Sequence, residues 1–398
     1  MPMSPSPSAT PPPLAPFPLA PFPLALSRLA LSRLALFALP AQLAVSAPLP
    51  AQRPDSLSPT EFAALSARLS DRGGYFDTDN LISNEQSLLH PLTVLDRRGV
   101  RGGVYIGVGP DQNFNYLARV APRLAIIADV RRDNLLHHLL FKALFTSTSS
   151  RVEFLALWLG RPAPAPSARV LAWPVDSLVA WAARTPITPA SVDAALRTVR
   201  ARLTTFGIPL DSQDLATITR FHRAFITDGI GLRFTSTGRA PRPYYPTLGQ
   251  LLAERDLDGR QGSYLASETA FRVVQSLERR NLIIPVVGDL AGPKVLPAVA
   301  ALLRQRGDAV SVLYTSNVED YLIRAGTFAT FVRHVQALPR TPESVIIRSW
   351  FGGPGSHPLN VPGYYTTQLV EPMDAFARDV GVARVTRYAD LVFRVRDN

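Results

Sequence analysis

The chain has 398 residues, 46% of them hydrophobic, enough for one large folded domain or two ordinary ones. It has no cysteine, which excludes disulfides, cysteine-ligated metal, a cysteine nucleophile and a lipid-modified cysteine. The formal net charge of +11 is carried almost entirely by scattered arginines. There is no long basic run and no interleaved aromatic patch, so no nucleic-acid partner is expected.

Residues 1–52 are low-complexity. "LAPFPLAPFP" and "LALSRLALSRLALFA" each repeat a five-residue unit. Arg28 and Arg33 precede the apolar stretch "LALFALPAQLAVSA", and "PLPAQRPDS" follows. Basic, then apolar, then small is the order of a secretory signal, with cleavage after Ala47 or Ala51. The apolar run is too short for a comfortable membrane span, so no transmembrane segment is expected. The reading is an exported protein, periplasmic or secreted, or a cytoplasmic one if this segment is a mis-assigned start. The folded part is expected to begin near Asp55 and to form a single domain through residue 398.

"SPTEFAALSARLS" opens with a capping signature and carries Phe62, Leu65 and Leu69 at helical spacing. "DRGGYFDTDNLISNEQSLLHPL" is polar and irregular and reads as a loop able to close over a pocket. Then strands alternate with helices. "GVYIGVG", "LAIIADV", "SARVLAWPV", "LIIPVVGDLAG", "AVSVLYTSN", "SVIIRSW" and "DLVFRV" read as strands. Residues of about 177–255 read as an all-helical insertion. The expectation is an α/β fold: a mostly parallel sheet of about seven strands, sandwiched between helices on both faces.

In such a sheet, ligands bind beyond the carboxyl ends of the strands. The first strand ends in Gly107-Val108-Gly109, a tight turn that lets a ligand approach the backbone. The third glycine of a dinucleotide turn is absent. Asp111 or Gln112 stands there, according to the spacing used. An Asp would repel a pyrophosphate, so a ligand with a cationic or zwitterionic part is easier to place. Asp111, Gln112 and Asn113 are the polar groups of this turn. Asp129 ends the second strand about twenty residues on, where a carboxylate can accept both hydroxyls of a ribose, unless it pairs with Arg131 or Arg132. Gly288 and Asp289 end a later strand, where Asp289 either faces a substrate or caps the turn. Glu85 and His90, in the polar loop, are the general-base candidates. His137 and His138 read as packed or surface residues of an apolar helix, and Ser316 or Asn317 as a helix cap. No metal-ligand spacing, Gly-x-Ser-x-Gly elbow or Walker-type loop occurs.

"GVYIGVGPDQNFNYLARVAPRLAIIADVRRDNLLHHLLFKALF", "SYLASETAFRVVQSLERRNLIIPVVGDLAGPKVLPAVAALLRQRG" and "VLYTSNVEDYL" resemble a family of uncharacterised bacterial proteins. That family in turn resembles the S-adenosylmethionine-dependent methyltransferase fold, which is Rossmann-like. The resemblance implies S-adenosylmethionine as cofactor and methyl transfer to an unknown substrate, small or surface-exposed, with a small molecule in the pocket. It places Gly107 and Gly109 beside the methionine part, Asp129 on the ribose, and Asp289 in the fourth-strand loop facing the substrate. Two positions depart from the methyltransferase pattern. Tyr105 stands where an acid often precedes the first glycine, and Asp111 replaces the third glycine. The other reading is an exported, non-enzymatic binding protein that keeps the fold.

Overall fold

A computed structural model describes residues 55–380 and 384–397. The expected export signal lies outside the described residues. The elements run in the order α1 (Pro59–Leu69), α2 (His90–Arg97), β1 (Val104–Val108), α3 (Asn113–Val120), β2 (Leu124–Asp129), α4 (Arg132–Ser147), α5 (Arg151–Trp158), α6 (Ala168–Leu171), α7 (Val175–Arg184), α8 (Pro189–Leu203), α9 (Ser212–Asp228), α10 (Leu248–Ala253), α11 (Glu268–Arg279), β3 (Ile283–Val287), α12 (Val295–Arg306), β4 (Val310–Ser316), α13 (Val318–Arg324), α14 (Phe328–Ala337), β5 (Arg340–Trp350), β6 (Thr367–Pro372), α15 (Met373–Asp379) and α16 (Tyr388–Val392).

Among the described residues the sheet has six strands, in the order β3-β2-β1-β4-β5-β6. All neighbours are parallel except β6, which runs antiparallel along β5. This is a Rossmann-like α/β arrangement. The chain steps outward through β1, β2 and β3, then crosses back to place β4 on the other side of β1. Crossovers in such sheets are right-handed, so reversing direction moves the connecting helix to the opposite face. The contacts agree: α3, α4 and α11 pack together, and α1, α12 and α14 form a separate run.

The expected count of about seven strands is corrected to six. "SARVLAWPV" holds the short helix α6, with Ser167 as its cap, and "DLVFRV" lies in and just past α16. Both runs are short and apolar, and periodicity cannot separate a strand from a single buried helical turn at that length. The strand that sequence reading missed is β6, "TQLVEP", which pairs Arg348 with Leu369 and Ile346 with Glu371. Its polar residues Thr367, Gln368 and Glu371 are all buried within the fold and follow no alternation, so the pattern misleads. Two helices were also missed, α2 in the supposed loop and α5 after α4.

The central strands form because they are apolar and β-branched, and they are buried along their length: β1 and β3 are covered at every position. Register then sets the site. Val108 pairs with Ala128, and Asp129 with Val287, so β1, β2 and β3 end level with one another. β4 carries a register irregularity between Tyr314 and Ser316, at its own carboxyl end. Bulges of this kind re-aim side chains beside sites.

Candidate functional site

A cavity of about 610 Å³ opens over the carboxyl ends of β1, β2, β3 and β4. It lies where the strand order reverses, the place where open α/β sheets bind ligands. Its size suits a cofactor-sized molecule. The loop 71–89 runs across these strand ends. Asp71 N donates to Val287 O (2.7 Å) and Gly74 N to Val130 O (2.6 Å), so this loop is hydrogen-bonded to the ends of β3 and β2. Arg131 adds bonds to the carbonyls of Thr78 (2.8 Å) and Asp79 (2.9 Å). The irregular segment after α9 closes another side. Phe234, Ser236, Arg239, Arg242 and Tyr245 all face the cavity.

The glycine turn divides its residues between the cavity and the core. Gly109 lines the cavity with φ +77°, a left-handed conformation that glycine adopts without strain. A Cβ there would lie 2.8 Å from Gln112 Nε2, so Gly109 also keeps the cavity wall clear. Gln112 lines the cavity as well. Gly107 lies outside the cavity lining: a Cβ there would lie 2.0 Å from Asn113 Oδ1 and 2.6 Å from Tyr105 Cε1. Asn113 braces the turn from beneath. Its amide donates to the carbonyls of Val108 (2.9 Å), Gly109 (3.3 Å) and Pro110 (2.7 Å), and its Oδ1 accepts from Tyr105 (2.8 Å). Tyr105 thus occupies the position of the missing acid as part of this brace. Asp111 is buried and does not line the cavity, and burial pushes its carboxyl up to about 7. Gly107, Asp111 and Asn113 therefore shape the turn from the core side.

Gly107→Ala is expected to lower stability by roughly 1–3 kcal/mol, because the added methyl must displace two buried, bonded side chains. Urea unfolding measures this, and an unchanged midpoint would show that the brace has room to shift.

Asp129 ends β2 and lines the cavity. Arg131 engages both of its oxygens: the backbone N and Nε donate to Oδ1 (2.9 and 3.0 Å), and a terminal nitrogen donates to Oδ2 (2.8 Å). Gly288 and Asp289 line the cavity where β3 ends, and Asp289 Oδ1 accepts from Ala291 N (2.8 Å), organising the turn. This loop follows the third strand, since the expected strand before it is a helix. The end of the fourth strand is instead Ser316-Asn317, which lines the cavity between β1 and β5. Ser316 has φ +53° and Asn80, also in the lining, has φ +50°. Non-glycine residues held in this region cluster at functional sites.

Glu85 lies in the inner wall, 1% exposed. Its carboxylate accepts from Tyr314 Oη (2.9 Å), Gln368 Nε2 (3.0 Å) and Ser316 Oγ. Burial raises its pKa, against the hydrogen bonds that lower it. His90 does not line the cavity. It is the first residue of α2, packed edge-on against Tyr364 with ring centroids 4.5 Å apart, and burial pulls it down to about 4. His138 Nε2 contacts Gly109 O at 2.9 Å, supporting the turn from α4, and His137 is buried among Phe141, Phe221 and Phe225. Among the described residues, no group of three or more His, Asp and Glu could hold a metal ion. Of the two arginines that sequence reading offered as partners of Asp129, Arg131 is the one that forks onto it; what that reading missed is the walls built by Tyr75, Phe76, Arg239 and Tyr321. The polar composition around residues 71–89 and 234–247 was the available signal.

A family model matches residues 81–172 and 239–396. The chain belongs to that family, a domain of unknown function (DUF7790). The DUF7790 match takes in all six strands, the glycine turn and the Ser316 end of β4, and it passes over α7, α8 and α9. No curated protein gives a significant match to the chain.

Proposed function

We propose that this cavity binds S-adenosylmethionine and that the protein transfers its methyl group to a small molecule. The observation that carries this reading is the convergence of Gly109, Asp129, Asp289 and Ser316 around one cavity at the switch in strand order. The residues present fit such a ligand. Gly109 leaves open the space a Cβ would fill, and Asp129 faces the cavity from the end of β2. Gly109 would hold the methionine part, and Asp129 the ribose through the acceptor capacity that Arg131 leaves on it. The cofactor supplies an electrophilic methyl group. The chain's task is to align a nucleophile with it and to keep water out. Glu85 and Asp289, both in the wall, are the groups placed to take a proton from an attacking oxygen or nitrogen.

Calorimetric titration with S-adenosylhomocysteine tests the reading. Binding is expected, and it should weaken at least tenfold in Asp129→Ala. At a hundred times its dissociation constant the ligand should add about 2.7 kcal/mol of stability. No heat and no thermal shift at millimolar ligand would sink the proposal.

A second reading has an observation of its own: Arg131 already forks onto Asp129. That arrangement suits a repurposed binding protein that has given up the ribose contact. It also accommodates the expected export signal, because S-adenosylmethionine is made in the cytoplasm. Among the described residues no helix is long and apolar enough to cross a membrane. Amino-terminal sequencing of the native protein from separated cell fractions divides the two readings. A processed, exported form indifferent to S-adenosylhomocysteine favours the second.

A further inference from the structure

The cavity's charges do not balance among themselves. Of its basic side chains, Arg131 is committed to Asp129, and Arg239 to Asp77 at 2.5 Å. Arg242 is exposed at the rim, where it donates to Tyr244 Oη (3.1 Å). Glu85 sits deeper and has only neutral partners, Tyr314, Ser316, Gln368 and Ser349. No ion pair involves it among the described residues. A buried carboxylate is costly unless something pairs with it.

The hydrogen bonds around it have a direction. Gln112 Nε2 donates to Tyr314 Oη (3.3 Å), and Tyr314 donates to Glu85. That orientation turns Gln112 Oε1 away from Tyr314 and leaves it without a partner, on a side chain 5% exposed. All of the groups that Glu85 meets are neutral hydroxyl or amide donors, so none of them brings a positive charge to the carboxylate. The inner wall thus presents one unfilled acceptor, Gln112 Oε1, and a carboxylate without a counter-charge, beside Ser316 in its positive-φ conformation. What is missing is a donor that also carries positive charge.

We propose that Glu85 and Gln112 form a subsite for a protonated amine or amidine of the ligand, a cation bearing N–H donors. A quaternary ammonium would meet the charge but leave Gln112 Oε1 unsatisfied, and an anionic group would be repelled. Phe76 and Tyr321 stand at the cavity with ring centroids 5.2 Å apart and can face such a group. The inference deepens the methyl-transfer reading and rests on it for the identity of this ligand as the methyl acceptor.

The test is binding of benzylammonium and agmatine, against benzyl alcohol and benzoate, to the full-length protein by ligand-observed NMR. S-adenosylhomocysteine is titrated in parallel. The two cations are expected to bind at least tenfold more tightly than the alcohol or the carboxylate, and at least tenfold more weakly to Glu85→Gln. Equal affinities, a preference for benzoate, or no binding of either cation overturns the subsite. Should Glu85→Gln not fold, the ranking on the unaltered protein decides. S-adenosylhomocysteine binding without a cation preference removes the subsite and leaves the methyl-donor reading standing. A cation preference lost in Glu85→Gln, without S-adenosylhomocysteine binding, does the reverse.

Discussion

Arg348→Met is expected to cost about 3–5 kcal/mol of folding stability, the loss typical of removing one partner from a buried ion pair. Arg348 on β5 is fully buried. Its guanidinium grips Glu319 of α13 with two bonds (2.8 and 3.2 Å) and Glu371 of β6 with a third (2.5 Å). The Glu319 side chain has no solvent exposure and that of Glu371 has 8%. Methionine matches much of the volume but leaves two buried carboxylates facing each other. Arg394 reaches Glu371 at 3.5 Å and compensates only that one. The damage should extend to the cavity, because Arg348 pairs with Ser316 across β4 and β5 and Glu319 lies in the helix that follows Ser316. Urea unfolding gives the stability, and the triple variant with Glu319→Leu and Glu371→Leu should recover most of it. A single-variant loss under about 1 kcal/mol would mean that water reaches these charges.

Asp111→Asn is expected to stabilise the protein, and to do so more at alkaline than at acid pH. The native carboxyl sits at about 7, raised by burial from its ordinary value of 3.8. A carboxyl raised in the native state binds more protons folded than unfolded between those two values. It therefore costs no stability below about pH 4, and a cost that grows as pH rises towards 7. The whole span is worth roughly 4 kcal/mol at about 1.4 kcal/mol per pH unit. An amide has no such cost. Between pH 5 and pH 8 the advantage of Asn over Asp should widen by roughly 2–3 kcal/mol in paired urea titrations. A difference independent of pH would place Asp111 in contact with water or with a cation. The variant also separates two roles. Since Asp111 lies outside the cavity, S-adenosylhomocysteine affinity should stay within about twofold of the unaltered protein.

The Asp111 case shows how far residue type alone reaches. A carboxylate in a glycine turn reads as a ligand contact, because turns are usually exposed. Here Pro110 starts the approach to α3, and the side chain at 111 turns under it into the core. The same holds for Gly107, whose missing side chain makes room for Asn113 rather than for a ligand. His90 looked like a base in a polar loop, but its ring is packed at the start of a helix.

By itself the sequence determined the α/β class, most of the elements, and the strand ends Gly109, Asp129, Asp289 and Glu85's loop as the region to examine. These are local matters: apolar runs, helical spacing, and turn residues where a buried strand must stop. Only the tertiary structure decided the strand order, and that "SARVLAWPV" holds a helix, which makes Ser316 rather than Asp289 the end of the fourth strand. It decided that β6 exists, that Arg131 forks onto Asp129, and that Tyr314, Ser316 and Gln368 converge on Glu85 from residues more than two hundred positions away. The reason is physical. Which side chains a buried carboxylate meets depends on sheet register and crossover handedness, and both follow from the packing of the whole chain, not from any window of it.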